Sequence, residues 1–371
     1  MGEASLRVAA NDFSRQWEEV SADAQVAVDR VGRSGSLILG EEVASFEREL
    51  ASWWGVAEAV GVASGLDAIE IGLRCAGVAP GTRVLTTPLT AFATTLAILR
   101  GGAVPVWCDV DESGGIDLGR ATEALESVPG IGALVPVHLF GHPLDPAGLR
   151  RLAEEHDLVV VEDCAQSAGA ERDGLPTGTV GAVAATSLYP TKNLGAMGDG
   201  GVLLSSDPAL AERARTLRNY GQGRRYEHLE LGLNSRLDEL QAGILRSALL
   251  PRLDRFLARR RQIGERYDAA LAGSPLRPIA AAAGLSARHL YPVEVVDGDP
   301  GEVAARLERA GVAVGRHYPR LCPDQPAAAG RGVEADALVV ARRLAERELS
   351  LPIHPFLSDE EVDHVIQACL G

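Results

Sequence analysis

The chain has 371 residues, 46% hydrophobic and 23% charged, the balance of an ordinary globular protein, so a disordered tail or a coiled coil is excluded and a large domain followed by a smaller one is expected. Its 51 acidic against 36 basic residues give a formal charge of −15, which opposes binding to nucleic acid or an anionic membrane, so any phosphorylated ligand must be held by local donors. The five cysteines (Cys75, Cys108, Cys164, Cys322, Cys369) are odd in number, widely spread and without a CxxC pair, the pattern of free thiols in a reducing compartment and not of a cysteine-based zinc site.

The opening MGEASLRVAANDF lacks the basic start and apolar run of a signal peptide, and Met1-Gly2 lacks the downstream Ser or Thr of a myristoylation pattern. No stretch approaches the roughly 18 apolar residues of a membrane span. A cytoplasmic location is expected. Short Val/Leu/Ile runs then alternate with amphipathic stretches, which predicts βα units around a mostly parallel sheet. The expected strands are Ala59–Ala63, Arg83–Thr87, Val104–Asp109, Ala133–His138, Leu158–Glu162, Ala182–Leu188 and Val202–Ser205. Helices are expected over Asp67–Cys75, Ala91–Arg100 and Pro146–His156, several opened by a cap or a proline. An Arg- and Leu-rich pattern from Leu237 to about Leu271 predicts one long connecting helix, with the domain boundary at 250/251. The second α/β unit is expected to hold a strand at Tyr291–Val296, a helix at Pro300–Gly311, a strand at Val312–His317, and helices at Ala335–Glu348 and Ser358–Cys369.

The chemistry concentrates between Leu158 and Ser206. An apolar strand ends in Glu162-Asp163, placing a carboxylate where open α/β sheets keep their ligand sites. A second strand delivers Ser187 and, after Tyr189-Pro190-Thr191, Lys192. Most lysines are solvated, but this one is followed by an uncharged stretch reaching to Asp199 and is enclosed by Pro190 and several glycines. A lysine in a dry pocket has a lowered pKa and becomes a nucleophile or base. Taken alone, Ser64-Gly65 is a helix cap and Gly232–Arg236 a loop. His138, at a strand end, reads as a structural histidine, since no second ligand stands at zinc spacing.

In order along the chain come SGSLILGEEVASFE, GLDAIEIGLRCAGVAPG, PLTAFATTLAILRGGAVPVWCDVD, VPVHLFGHPLD, VEDCAQSAGA, SLYPTKNLGAMGDGG, LGLNSRLDELQAGIL, RHYP and SLPIHPFLSDEEVDHVI. With these the chain resembles the DegT/DnrJ/StrS sugar aminotransferases, and the match covers nearly its whole length. The resemblance implies the aspartate aminotransferase-like fold type I of pyridoxal 5'-phosphate (PLP) enzymes: a large PLP-binding domain at 1–250 with a mostly parallel central sheet, and a smaller C-terminal α/β domain at 251–371. It implies that Lys192 carries the cofactor as a Schiff base and shuttles the proton, while Asp163 keeps the pyridinium nitrogen protonated so that the ring accepts electrons. Gln166 is expected at the ring hydroxyl. The phosphate is expected on Ser187, on the Ser64-Gly65-Leu66 turn into a helix, and on Asn234 from a second subunit, which makes the enzyme a homodimer with shared active sites.

Two departures stand out. Gly65-Leu66 replaces the usual Gly-Thr, losing one hydroxyl donor. Ala91 stands where an aromatic ring usually stacks on the cofactor, leaving Phe92 as the stacking residue or as part of the core. Tyr189, Arg236, His317 and Tyr318 are the expected substrate contacts, with a buried turn an equally good account of His317-Tyr318. Since lysine, not histidine, fills position 192, the resemblance favours aminotransferases over the related dehydratases. It implies transfer from L-glutamate to a nucleotide-linked keto deoxysugar, dTDP-linked, at C3 or C4, in the decoration of a secondary metabolite such as an antibiotic. The YP-x-KNLGA-x-GD form resembles the 3-aminating subgroup. A cyclitol or aminobenzoate-type aminotransferase and a non-catalytic PLP-fold sensor are the alternatives; a dinucleotide oxidoreductase lacks its GxGxxG. No metal is expected.

Overall fold

The computed structural model describes residues 6–371; residues 1–5, on which part of the targeting expectation rests, lie outside the described residues. The first part of the chain forms α1 (Phe13–Ser34), α2 (Glu41–Trp54), β1 (Glu58–Val62), α3 (Gly65–Cys75), β2 (Arg83–Thr86), α4 (Phe92–Arg100), β3 (Val104–Trp107), α5 (Leu118–Ser127), β4 (Ile131–Val135), α6 (Pro146–Glu155) and β5 (Val159–Asp163). A small hairpin of β6 (Glu171–Arg172) and β7 (Leu175–Pro176) precedes β8 (Val183–Ser187), β9 (Gly201–Ser205), α7 (Pro208–Arg218), a second hairpin of β10 (Gln222–Arg224) and β11 (Glu227–His228), and α8 (Glu239–Ile244). The remainder comprises α9 (Leu253–Leu271), β12 (Leu276–Pro278), β13 (Tyr291–Val295), α10 (Pro300–Arg309), β14 (Val333–Glu334), α11 (Val339–Arg347), β15 (Glu348–Leu351) and α12 (Asp359–Leu370).

An eight-stranded sheet in the order β1-β9-β8-β5-β4-β2-β3-β14 forms the centre. The strands from β8 to β14 are parallel, and only β9, wedged between β1 and β8, runs against them. The all-apolar runs of the sequence follow from this, because helices cover both faces and neither side of a strand meets water. Val60, Ile71, Val84, Val161 and Leu203 fill one face; Leu85, Val106, Leu134 and Leu149 fill the other. Chain ends of β5 and β8 therefore lie side by side at one edge, through the register Asp163↔Ala185. There, Asp163 and Ser187 emerge.

A separate core holds Tyr267, Tyr291, Val293, Leu307, Leu349 and Val362 around the antiparallel sheet β12-β13-β15. Two connections cross the expected boundary at 250/251: Val8 pairs with Val312 and belongs to this C-terminal core, while β14 joins the large sheet beside β3. The helical pattern expected from Leu237 to about Leu271 is present from Glu239 to Leu271, but its winding changes in the middle. After α8 comes a wide turn over Leu245–Leu249 and a tight one over Leu250–Arg252, and α9 starts only at Leu253. Pro251 explains the change, since it has no N–H to continue the ladder. Val312–His317 is not a strand; only Val312 and Gly315 make single bridges there. The helix expected at Ala335–Glu348 is shorter, because Glu348 already belongs to β15. All five cysteines are buried and free, and no helix is long and apolar enough to cross a membrane.

Candidate active site

Lys192 sits on the loop between β8 and β9. The loop closes through Lys192 N–H to Tyr189 O (2.8 Å) and Ala196 N–H to Leu188 O (2.7 Å). Gly195 permits the closure, because a Cβ there would lie 2.3 Å from Pro190 O. Lys192 is half-buried as a residue, but its amine end is enclosed. Burial pushes the amine down to about 8, against the upward pull of the Asp163 charge. Asp163 is thus close enough for its charge to be felt at the amine.

The Asp163 carboxylate is 4% exposed and fixed at both oxygens, Oδ1 by Ala165 N–H (3.0 Å) and Oδ2 by the Thr94 hydroxyl (2.8 Å). Thr94, on the first turn of α4, went unassigned in the sequence although it lies within the motif PLTAFATTLAI. Gln166 accepts from Phe140 N–H at Oε1 (2.6 Å) and donates from Nε2 to the Tyr318 hydroxyl (3.1 Å). Burial raises the Tyr318 phenol well above its usual range, so it stays protonated.

The expected phosphate cradle is one compact corner. Ser64 caps α3 by accepting from Asp67 N–H (3.1 Å), which leaves the first backbone donors of the helix unengaged. A Cβ on Gly65 would come within 2.7 Å of Ser187 Cβ, and one on Gly201 within 2.3 Å of Ser64 O. The helix start, the end of β8 and the start of β9 thus converge with no side-chain bulk between them. The unengaged donors of the helix start suit an anion such as a phosphate, which the helix terminus favours. Leu66 contributes backbone only, as its side chain packs on the sheet core. Asn234 is exposed and its side-chain amide has no partner among the described residues, while the next residue, Ser235, is tied to Ala63 N–H (3.0 Å) and Asp67 (2.7 Å).

Beside Lys192 opens a cavity of about 280 Å³, lined by Gln166, Arg260, His289, His317 and Tyr318 among others. His317 Nδ1 lies 2.8 Å from Ser350 Oγ, Ser350 donates to Glu348, and His317 N–H donates to Glu348 Oε2 (2.6 Å). Burial and the Lys192 charge hold His317 down to about 4. Burial pushes Glu348 up to about 7. His289, lowered chiefly by burial, lies 3.3 Å from Asn193 Oδ1. Sequence reasoning missed Arg260, His289, Glu348 and Ser350.

Three expected residues lie elsewhere. Phe92 packs on Trp107, Cys322 and Ala328, so its ring belongs to a small core cluster, not to the Lys192 space. Tyr189 is 51% exposed and lines neither cavity beside Lys192. Arg236 reaches Asn219 Oδ1 (3.1 Å) and stacks on Tyr220. The buried trio His138, Glu162 and Cys164 has metal-like proximity, yet its donors are spent: Leu144 N–H occupies His138 Nδ1 (3.1 Å), so Nε2 carries the proton to Glu162 (3.0 Å). The N–H groups of Gly178, Val180 and Gly181 take up the Glu162 oxygens. Desolvation raises Glu162, but these bonds outweigh it and hold its pKa low. It locks the strand ends together, as the structural reading of His138 anticipated.

The mostly parallel sheet, with Lys192 on the loop after β8 and Asp163 at the end of the neighbouring β5, is the architecture of the PLP-dependent aminotransferases. The chain belongs to the DegT/DnrJ/EryC1/StrS aminotransferase family, which it matches over residues 18–370. It is 40% identical to the dTDP-3-amino-3,4,6-trideoxy-alpha-D-glucose transaminase of Streptomyces venezuelae, covering 98% of this chain and 95% of that one. It is 38% identical to the UDP-N-acetyl-3-dehydro-alpha-D-glucosamine 3-aminotransferase of Acidithiobacillus ferrooxidans, covering 95% of each. The crystal structure of S. venezuelae DesV superposes with a TM-score of 0.93 at 40% identity, covering 98% of this chain and 97% of that one. The enzyme is PLP-dependent.

Proposed function

We propose that the enzyme moves an amino group from L-glutamate to the ketone of a dTDP-linked deoxysugar, at C3 or C4, in amino sugar biosynthesis. The observation that carries this reading is the enclosed Lys192 on the β8–β9 loop beside the strand end that holds Asp163 by Thr94 and Ala165; the dTDP-sugar relative at 40% identity supports the substrate class. PLP supplies the electron sink that makes the carbon bearing the amine acidic. Lys192 holds the cofactor and moves the proton. Asp163, oriented by Thr94 and Ala165, pairs with the ring nitrogen, and Gln166 with the ring hydroxyl. Ser187, Ser64 and the backbone N–H groups of Gly65 and Leu66 bind the phosphate. His317 and Tyr318 line the substrate side.

Asn234 completes the phosphate site from a second copy in a homodimer. Its free, exposed amide and the exposed Leu37, Ile38, Leu39, Met197, Leu229 and Leu231 support this assembly, since apolar surface of that extent marks an interface. Tyr189 and Arg236 act as substrate contacts across the same boundary. The test is the reverse reaction: purified enzyme mixed with nucleotide amino sugars, recording which one bleaches the cofactor band. A dTDP-3-amino deoxysugar is expected to do so at micromolar to millimolar concentration. If only cyclitol amines bleach it, the sugar reading fails.

A further inference from the structure

No step of the proposed transfer uses Glu348, a buried acid behind the Lys192 cavity, whose wall includes Ser350 and His317. Glu348 opens β15, and Ser350, two residues on, shares its face of the strand. Oε2 accepts from His317 N–H (2.6 Å), Oε1 is hydrogen-bonded to Ser350 Oγ, and Ser350 Oγ lies 2.8 Å from His317 Nδ1. Acid, hydroxyl and imidazole thus form one chain. Its far end is His317 Nε2, which has no partner among the described residues and, unlike both nitrogens of His354, is not sealed from accessible space. The space that His317 borders is the cavity of about 280 Å³ that Lys192 also lines.

The hydrogen bonds of this chain run in one of two directions. With Glu348 ionised, both of its oxygens only accept. Ser350 then donates to Oε1, Nδ1–H donates to Ser350 Oγ, and Nε2 is left as an acceptor. A proton arriving from the cavity at Nε2 reverses the order: Nδ1 passes its proton to Oγ, and Oγ passes its own to Oε1. One proton is taken up, it rests on the acid, and the ring stays neutral with Nε2 now a donor.

The surroundings allow this exchange near neutral pH. Burial raises Glu348 to about 7, whereas His317, held down to about 4 by burial and the Lys192 charge, does not become a cation there. Among the described residues no cation forms an ion pair with Glu348, so ionising it in a dry site is unfavourable. Arg316, in the loop of His317, is turned to the carbonyl oxygens of Ala345 and Glu346. Glu294, the cross-strand partner of Glu348 on β13, is held by Arg277 of β12 and Arg343 of α11. Helix α10 shares the core on the other face of β15, through Leu307 and Leu349. Around the imidazole stand Lys192, His289 and Tyr318.

We propose that Glu348, acting through Ser350, is a positioning residue that selects which ring nitrogen of His317 carries the proton, and thereby whether the cavity offers the substrate an acceptor or a donor. The effect on the substrate rests on the transaminase reading; the chain of hydrogen bonds does not. The first experiment reads the ring directly, by nitrogen NMR of the holoenzyme isotope-labelled in its histidine rings, with the His317 signals identified by their loss in His317→Gln. Nδ1 should carry the proton at about pH 8.5 and Nε2 at about pH 6, with the change centred near 7. In Glu348→Gln the amide oxygen takes the His317 N–H, so the amide nitrogen donates to Ser350 at every pH and Nε2 should stay protonated throughout. In Ser350→Ala the ring should cease to follow the acid. A wild-type ring that keeps one tautomer across this range, or a change that survives in Glu348→Gln or Ser350→Ala, overturns the proposal. Should Glu348→Gln fail to fold, the wild type and Ser350→Ala decide by themselves.

The second experiment reads the substrate. The half-saturating amino sugar concentration of Glu348→Gln should match the wild type at about pH 6, where both offer a donor, and differ about tenfold at about pH 8.5, the effect of one hydrogen bond. Taking the ratio of the two enzymes cancels the titration of the amino sugar itself. A ratio that does not change with pH overturns the link to the substrate. If no amino sugar bleaches the cofactor, the sugar reading fails, and the ring measurements still decide whether Glu348 sets the tautomer.

Discussion

The two sides of Lys192 are built differently. On the cofactor side, Asp163, Ser187 and the Ser64-Gly65 turn stand at strand ends and a helix start of one rigid sheet, and Asp163 is held by two hydrogen bonds. On the cavity side, Arg260, His289, His317 and Glu348 come from a helix, two loops and the edge of the small sheet, and they include a nitrogen without partner and an acid raised to about 7. The first arrangement is finished before any ligand arrives. The second keeps unspent hydrogen-bonding capacity, which is what a site that must accept two chemically unlike partners in turn requires.

Changes on the cofactor side should therefore damage both half-reactions, and the largest loss belongs to Lys192 itself. Lys192→Ala removes the attachment and the proton carrier together. Turnover should fall at least about 10⁴-fold with loss of the protein-bound visible band; a variant that keeps both band and rate would remove the basis for the reading. Asp163→Asn comes next, with a loss on the order of 10²–10⁴-fold in the amino-acid and amino-sugar half-reactions alike, measured by single-turnover absorbance. A loss confined to one half-reaction would break the contrast drawn above.

The same contrast explains what the sequence disclosed. Strand ends and caps leave local marks: VVVED announces β5 and its carboxylate, and Ser64 before α3 announces a helix start. Seven strands were placed within three residues at either end because strands covered on both faces read as apolar runs. The cavity side leaves no such mark, because Arg260, His317 and Glu348 meet only through tertiary packing. A signal for Arg260 did exist, a charged residue on the apolar stripe Phe256-Ile263-Tyr267, but it was hidden among four neighbouring arginines and a helix assumed to wind uniformly. Thr94 and Phe92 show the converse limit. The motif held both, yet only the geometry of α4 decides that the threonine meets Asp163 and the phenylalanine meets Trp107.

On the cavity side, Glu348 gives the next largest effect, on stability rather than rate. Burial raises its pKa from the ordinary 4.5 to about 7. The folded state thus holds a proton that the unfolded chain releases, so this contribution is complete below pH 4.5 and is lost as pH rises through 7. Across that window it amounts to up to about 3 kcal/mol. Urea unfolding of the wild type should weaken between pH 4.5 and 7 relative to Glu348→Gln, whose amide does not titrate. The two share every histidine of the site, so their difference isolates the acid; parallel curves would show that Glu348 is ionised throughout.

The smallest expected effect tests the contrast most finely. Thr94→Val keeps the shape of the residue and deletes only the hydroxyl that donates to Asp163 Oδ2, while Ala165 N–H still holds Oδ1. A hydrogen bond to a charged group contributes about 1.5–3 kcal/mol, and with half of the support retained the lower figure applies, so kcat/KM should fall about tenfold. Because Thr94 acts through Asp163, that loss must be equal for glutamate and for the amino sugar, and the visible band of the bound cofactor should shift with it. A Thr94→Val loss that tracked only one substrate would mean that the two sides of Lys192 are not independent.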